Sequence, residues 1–81
     1  MKIRVKTFAQ VSDIIGKEGE VLDFQGEASL ETLKSSLIQR YPKLADLWSS
    51  LAIAVNGQIV DNNVSFKEDD EVVLIPPVSG G

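Results

Sequence analysis

The sequence is a short acidic chain of 81 residues, with 12 acidic against 8 basic residues and a formal net charge of −4. It contains no cysteine and no histidine, which excludes thiol nucleophiles, disulfides, Cys/His zinc sites and an imidazole general base. Its length and its hydrophobic fraction of 43% allow one modest core, and the acidic balance disfavours a nucleic-acid binder or a binder of anionic membranes.

The first quarter of the chain predicts a strand, a short helix and a second strand. Residues 2–8 alternate polar and apolar side chains, which is typical of a strand with one buried face, and this alternation leaves Phe8 on the solvent side. Residues 9–15 have apolar side chains at helical spacing, and Gly16 is suited to end that helix in a left-handed conformation. Residues 21–24 predict a second strand, which we expect to pair with the first.

The middle of the chain predicts one long helix. Residues 30–41 carry an apolar stripe at helical spacing, and the hydroxyl of Ser29 can accept a hydrogen bond from the free amides of the first turn. Pro42 ends this helix, because the residue before a proline is driven towards extended geometry. We expect residues 44–48 to form an irregular or 3₁₀ segment that closes one end of the core.

The second half of the chain predicts three more strands. Residues 51–55 form an apolar run, and Asn56-Gly57 is a strong signal for a tight hairpin that leads into residues 58–60. The last strand covers residues 71–75. Pro76-Pro77 ends it, because proline has no amide hydrogen for a sheet.

These elements predict one α+β domain over residues 1–81 in the β-grasp, or ubiquitin-like, arrangement. We expect a mixed sheet of four or five strands crossed by one main helix, with a flexible Gly-Gly tail at residues 76–81. The N-terminus alternates charged and apolar residues and so lacks the continuous apolar core of a signal peptide, and no apolar run approaches the roughly 20 residues that span a bilayer. We therefore expect a cytoplasmic protein.

The tail is the most informative feature of the sequence. Two prolines stiffen its base, and Gly80 and Gly81 can enter a narrow channel where a larger side chain would clash. The terminal carboxylate is ionised at neutral pH and is a poor electrophile, so a partner enzyme would have to adenylate it before it could accept sulfur or an amine. The alternative is a frayed chain end or a remnant of cloning.

Apolar residues on the solvent side of the strands are a second candidate site. Strand alternation places Phe8, Ile75 and Ile59 away from the helix-covered core, where they could form one docking surface. Scattered surface hydrophobic residues are the equally weighted alternative. The acidic run at residues 68–71 lacks the ligand spacing of a calcium loop and predicts a solvated turn, so we expect no metal site.

Four segments of the chain together resemble the MoaD type within the MoaD/ThiS family of sulfur carriers. These segments are Phe8-Ala9-Gln10-Val11, Ala54-Val55-Asn56, Asp70-Glu71-Val72 and the terminal Pro76-Pro77-Val78-Ser79-Gly80-Gly81. The resemblance covers the whole chain, and it implies a β-grasp fold in a small subunit of molybdopterin synthase. The sequence departs from the family pattern at Asp69, where members commonly have glycine.

The resemblance also implies a working residue and partners. An adenylating enzyme of the MoeB type would use ATP to activate Gly81, which becomes a thiocarboxylate, and this chain itself would bind no cofactor. Val78, Ser79 and Gly80 would then enter the large synthase subunit of the MoaE type, where sulfur passes to precursor Z. The assembly would be a heterotetramer around a dimeric large subunit, and Phe8, Ile59 and Ile75 would supply the docking surface.

Three other functions remain open at this point. A ThiS-like carrier for another sulfur-containing product would end in the same two glycines. A ubiquitin-like modifier would join Gly81 to a lysine of a target protein. A small interaction domain with an idle tail would not use Gly81 at all.

Overall fold

The computed structural model describes residues 1–61 and 63–77 of the chain. Its elements are β1 (Lys2–Thr7), α1 (Ala9–Ile15), β2 (Gly19–Asp23), α2 (Leu30–Arg40), α3 (Leu44–Trp48), β3 (Ala52–Val55), β4 (Gln58–Val60) and β5 (Glu71–Ile75). Within these residues, no helix is long and apolar enough to cross a membrane.

The strands form one five-stranded mixed sheet in the order β2-β1-β5-β3-β4. β1 and β5, the first and last strands in sequence, pair in parallel at the centre, whereas the other neighbours pair antiparallel. α2 packs across one face of this sheet, so the predicted α+β, β-grasp architecture is confirmed with five strands.

One face of the sheet and the inner side of the helices make the core. The alternation predicted for β1 is confirmed, since Ile3 and Val5 are almost fully buried and Phe8 is 53% exposed. The other core members with almost no exposure come from all parts of the chain: Val11, Leu33, Leu37, Leu44, Val72 and Leu74. Thr7 is also buried, and its hydroxyl is satisfied by the Ser12 hydroxyl at 2.8 Å and the Lys17 carbonyl at 2.9 Å.

The start of α2 is held by the predicted cap. The Ser29 hydroxyl accepts a hydrogen bond from the Thr32 amide, and the Thr32 hydroxyl accepts one from the Ser29 amide at 2.7 Å. The Leu30 amide donates to the Val64 carbonyl at 2.9 Å, which ties this helix end to the loop before β5. The capping residue Ser29 and the contact with Val64 thus both favour Leu30 as the first residue of α2.

The prediction of an irregular or 3₁₀ segment at residues 44–48 was wrong, because these residues form the short helix α3. Pro42 cannot continue α2, but its carbonyl accepts a hydrogen bond from the Ala45 amide at 3.0 Å, and the Tyr41 carbonyl accepts one from the Leu44 amide at 2.9 Å. A new helical turn therefore begins at once. Burial of Leu44 fixes it against the core.

β2 begins at Gly19, two residues before the predicted strand at residues 21–24, and it ends at Asp23. Gly19 pairs with Lys6 of β1, and a Cβ atom at Gly19 would lie 2.8 Å from the Val5 carbonyl oxygen. Only glycine allows this close approach of the two backbones. The pairing therefore continues further than the apolar pattern indicates.

A polar cluster joins β2 to the end of α2. The Glu20 side chain is only 7% exposed, and its carboxylate accepts hydrogen bonds from Arg40 at 2.9 Å and from the Tyr41 hydroxyl at 3.0 Å. The Lys17 ammonium lies 3.3 Å from the same carboxylate. The sequence provided no indication of this cluster, because Arg40 and Tyr41 are 20 and 21 residues from Glu20 in the chain.

The acidic turn before β5 has left-handed backbone geometry at Asp69, the position at which the sequence departs from the pattern that it resembles. Asp69 has a φ of 67°, its amide donates to the Lys2 carbonyl at 2.8 Å, and its carbonyl accepts from the Arg4 guanidinium. The Asp70 carboxylate accepts a hydrogen bond from the Lys67 amide at 2.8 Å, which closes the turn. Asp is among the few non-glycine residues that tolerate the left-handed region.

This geometry makes a stability prediction at Asp69. Asp69→Val should lower the free energy of unfolding by about 1–2 kcal/mol, because a β-branched residue is strained at positive φ. Asp69→Gly should match or exceed the wild type, and Asp69→Asn should match it, because both residues accept this φ. Urea titrations of the three variants give the order. A Val variant as stable as the Gly variant would contradict the left-handed turn.

Candidate functional site

The candidate site begins with the sheet face that is opposite to the core. This open face carries the strand side chains that alternate with the core members. They are Lys2, Arg4, Lys6 and Phe8 along and just after β1, Val21 and Asp23 on β2, Ala52 and Ala54 on β3, Ile59 on β4, and Glu71, Val73 and Ile75 on β5.

One row of this face is apolar and runs across three chain segments. Phe8 is extended, with φ −140° and ψ 154°, so its side chain continues the alternation of β1. The pairing of Thr7 with Leu74 is the last one between β1 and β5, and the same register places Phe8 beside Ile75. Ile75 in turn pairs with Ala52.

The neighbouring row extends the apolar surface towards β4. Val73 pairs with Ala54, and Ala54 pairs with Ile59, which is 64% exposed. We call these two rows the apolar patch, defined by Phe8, Ala52, Ala54, Ile59, Val73 and Ile75. The three residues predicted from strand alternation, Phe8, Ile59 and Ile75, thus share one face. The small side chains of Ala52 and Ala54 lie between them and make the apolar surface continuous. Their docking role stays a prediction.

Two features of this face were missed from the sequence. Val73 alternates with the core residues of β5 just as Ile75 does, so the same pattern could have assigned it to the patch. Val21 is 58% exposed, but it lies opposite Arg4 on β2 and is separated from the patch by the basic side chains of β1. The open face therefore has an apolar part and a charged part.

The chain end leaves the sheet beside the apolar patch. β5 is the central strand, and it ends at Ile75 on the edge that also carries Phe8 and Ala52. Pro76-Pro77 continues from this point. The predicted tail-insertion residues Val78, Ser79 and Gly80 and the predicted reactive residue Gly81 lie outside the described residues.

Two further observations bear on what this site could bind. In residues 1–61 and 63–77, no three carboxylate side chains are placed to hold a metal ion. A shallow groove of about 520 Å³ lies beside Phe8 and includes Lys6, Asp13 and Glu18 in its lining.

The fold and this site define a β-grasp domain of the ubiquitin-like class, and the comparisons with known proteins assign it to a family. The chain belongs to the ThiS family, whose profile matches residues 5–81. It is 28% identical to the molybdopterin synthase sulfur carrier subunit of Caenorhabditis elegans, over 100% of this chain and 99% of that protein.

Two solved structures extend the comparison. A chain of the protein–protein complex of subunits 1 and 2 of the molybdopterin-converting factor from Helicobacter pylori is 30% identical, with a TM-score of 0.73 and complete coverage of both chains. SAMP1 from Haloferax volcanii has the same fold, with a TM-score of 0.86 over 100% of both chains, at 24% identity.

Proposed function

We propose that this chain is the sulfur carrier subunit of a molybdopterin synthase. The observation that supports this most strongly is similarity to sulfur carrier subunits over the whole length of the chain, a length that ends in Gly80-Gly81. The position of the chain end agrees with this role, because Pro76-Pro77 starts the tail at the centre of the sheet and beside the apolar patch.

The proposed chemistry takes place at the Gly81 carboxylate. An oxygen of this carboxylate attacks the α-phosphorus of ATP in the active site of an activating enzyme, and pyrophosphate leaves. A sulfur nucleophile then attacks the terminal carbonyl carbon, AMP leaves, and the carboxylate oxygen is replaced by sulfur. In the active site of the large subunit, the thiocarboxylate sulfur forms a bond to a carbon of precursor Z and displaces an oxygen substituent there. Water then attacks the terminal carbonyl carbon and the carbon–sulfur bond breaks, so that the sulfur stays on the pterin and the chain end returns to a carboxylate.

The absence of cysteine and histidine from the sequence is compatible with this division of labour. The reactive sulfur is imported and carried on the backbone terminus, so the domain needs no nucleophilic side chain of its own. The domain supplies a rigid base for the tail and a face for docking. The complex of subunits 1 and 2 from Helicobacter pylori supports a large-subunit partner for this chain as well.

Intact-mass measurement tests the proposal directly. The purified chain is incubated with its activating enzyme, ATP and a sulfide source, and its C-terminal peptide is sequenced by mass spectrometry. We expect the mass to rise by the difference between sulfur and oxygen, located at Gly81. An unchanged mass, with an activating enzyme that adenylates a known carrier in the same assay, would overturn the proposal.

The product that the activated Gly81 finally forms separates this function from the alternatives of a ThiS-like carrier and a protein modifier. A molybdopterin synthase subunit, once thiocarboxylated, converts precursor Z to molybdopterin when its large subunit is added. A carrier for another product forms the thiocarboxylate but does not support this conversion. A modifier yields conjugates in which Gly81 is joined to a lysine, and these disappear when Gly81 is deleted.

A further inference from the structure

The charged part of the open face is not explained by a purely apolar docking surface. Lys2, Arg4 and Lys6 occupy the outward positions of β1, although the chain as a whole has 12 acidic and only 8 basic residues. These three cations thus form a basic stripe on an acidic protein. A local charge of opposite sign to the net charge is a feature that affects partner choice more than solubility.

The positive charge of this stripe is only partly balanced within the described residues, where Asp23 lies opposite Lys2 and Glu71 lies opposite Arg4 on the same face. The Lys6 ammonium lies 3.8 Å from the Glu71 carboxylate, and both side chains are partly exposed. The Arg4 guanidinium donates to the Asp69 carbonyl oxygen at 3.3–3.4 Å, which is a neutral acceptor. Exposed pairs of this kind contribute little to stability, so the structure of the domain alone does not require the stripe.

The basic stripe lies within the area that a docking partner must cover. Lys6 pairs with Val73 of the apolar patch, and Arg4 is about 13 Å along the strand from Phe8. A standard interface covers about 800 Å² on each partner, which is roughly 30 Å across. A partner centred on Ile75 therefore also covers Lys6 and reaches Arg4 at its rim, whereas Lys2, about 20 Å along the strand from Phe8, lies outside it.

We propose that the partner surface that covers the apolar patch carries carboxylates opposite β1, so that the basic stripe selects an acidic partner surface and orients it. This inference rests on the proposed function. A cation that loses water at an interface without gaining an opposite charge is costly, so a partner lacking these carboxylates would be rejected. The stripe thereby distinguishes its partners from any protein that offers an apolar surface alone.

Charge-reversal variants of the full chain test this with the molybdopterin synthase large subunit as the probe. Lys6→Glu and Arg4→Glu should each lower the association rate constant about tenfold at low salt, and high salt should reduce the difference, because such steering is screened. Lys6→Gln should give a smaller loss, and Lys2→Glu the smallest. Lys43→Glu is the matched control, because it changes the net charge equally from the exposed start of α3.

Covalent mapping gives a second readout. A zero-length carbodiimide reagent joins an amine to a carboxylate with loss of water, and we expect it to link Lys6 to an Asp or Glu of the large subunit. Melting curves of every variant identify any loss of folding. Rates for Lys6→Glu and Arg4→Glu within twofold of the Lys43→Glu rate, or no cross-link at Lys6, would overturn the inference.

The remaining outcomes separate this inference from the proposed function. If the wild-type chain binds the large subunit but the variants match the control, only the charge inference fails. If the wild-type chain binds neither the large subunit nor the activating enzyme, both fail. Concentration-dependent dimers, or binding to a single-stranded oligonucleotide, that Lys6→Glu abolishes would assign the stripe to a second copy or to nucleic acid, and would also overturn the inference.

Discussion

Deletion of Gly80-Gly81 should reduce thiocarboxylate formation at least about a hundredfold and leave the melting temperature unchanged. The four residues after Pro77 reach at most about 14 Å when fully extended, and the deletion halves that reach. It also moves the terminal carboxylate next to the Ser79 side chain. A displacement of the reacting atom by even about 1 Å can cost a factor of about 100 in rate, so partial activity is not expected.

The stability half of this prediction follows from the core. Among residues 1–61 and 63–77, all almost fully buried side chains lie between Ile3 and Leu74, and the last sheet pairing is that of Ile75 with Ala52. Loss of two terminal glycines removes none of these contacts. Ser79→Ala is the matched control, because it alters the tail but keeps its length and its end. A truncated chain that still gains sulfur at the rate of the control would contradict the carrier role.

Most of the fold could be predicted because its local signals and tertiary contacts agree. β1 could be recognised from the strict alternation of its polar and apolar residues. Asn56-Gly57 adopts the two positive φ values, 50° and 85°, that the tight hairpin needs. α3 was not predictable as a helix, because five residues are too few for a helical period to emerge. The start of β2 at Gly19 depends on the approach of a distant backbone, which apolar patterning does not report.

The candidate site was predictable to a smaller extent. The alternation of side chains along each strand was enough to assign Phe8 and Ile75 to the open face, because each alternates with core residues of its own strand. The size of the apolar patch required the pairing of β5 with β3, since only that register brings Ala52 and Ala54 between the larger side chains. The basic stripe was visible as alternating residues of β1, but its relation to the patch depends on the parallel pairing of the first and last strands.

Substitution of Phe8 by aspartate should weaken binding to both the large subunit and the activating enzyme by about thirtyfold or more. Phe8 is 53% exposed and lies beside the start of the tail, so a partner that receives the tail must cover it. Buried aromatic anchors of this kind typically contribute about 2 kcal/mol or more, and each 1.4 kcal/mol corresponds to about a tenfold change in Kd. Ile75→Asp should have a similar effect on binding.

Local structure allows the effect of Phe8→Asp on binding to be separated from any effect on folding. Phe8 is the N-cap of α1 and makes no side-chain hydrogen bond there, whereas aspartate is among the preferred N-cap residues. The variant should therefore be at least as stable as the wild type in thermal unfolding.

Val21→Asp is the matched control for these variants. Val21 is exposed to a similar extent on the same open face, at 58%, but it lies beyond the basic stripe. Calorimetric titration of the three variants should therefore show a large loss of affinity for Phe8→Asp and Ile75→Asp and a small one for Val21→Asp. Equal losses of affinity at all three positions would mean that partners bind the apolar residues of the open face in general and not the apolar patch beside the tail.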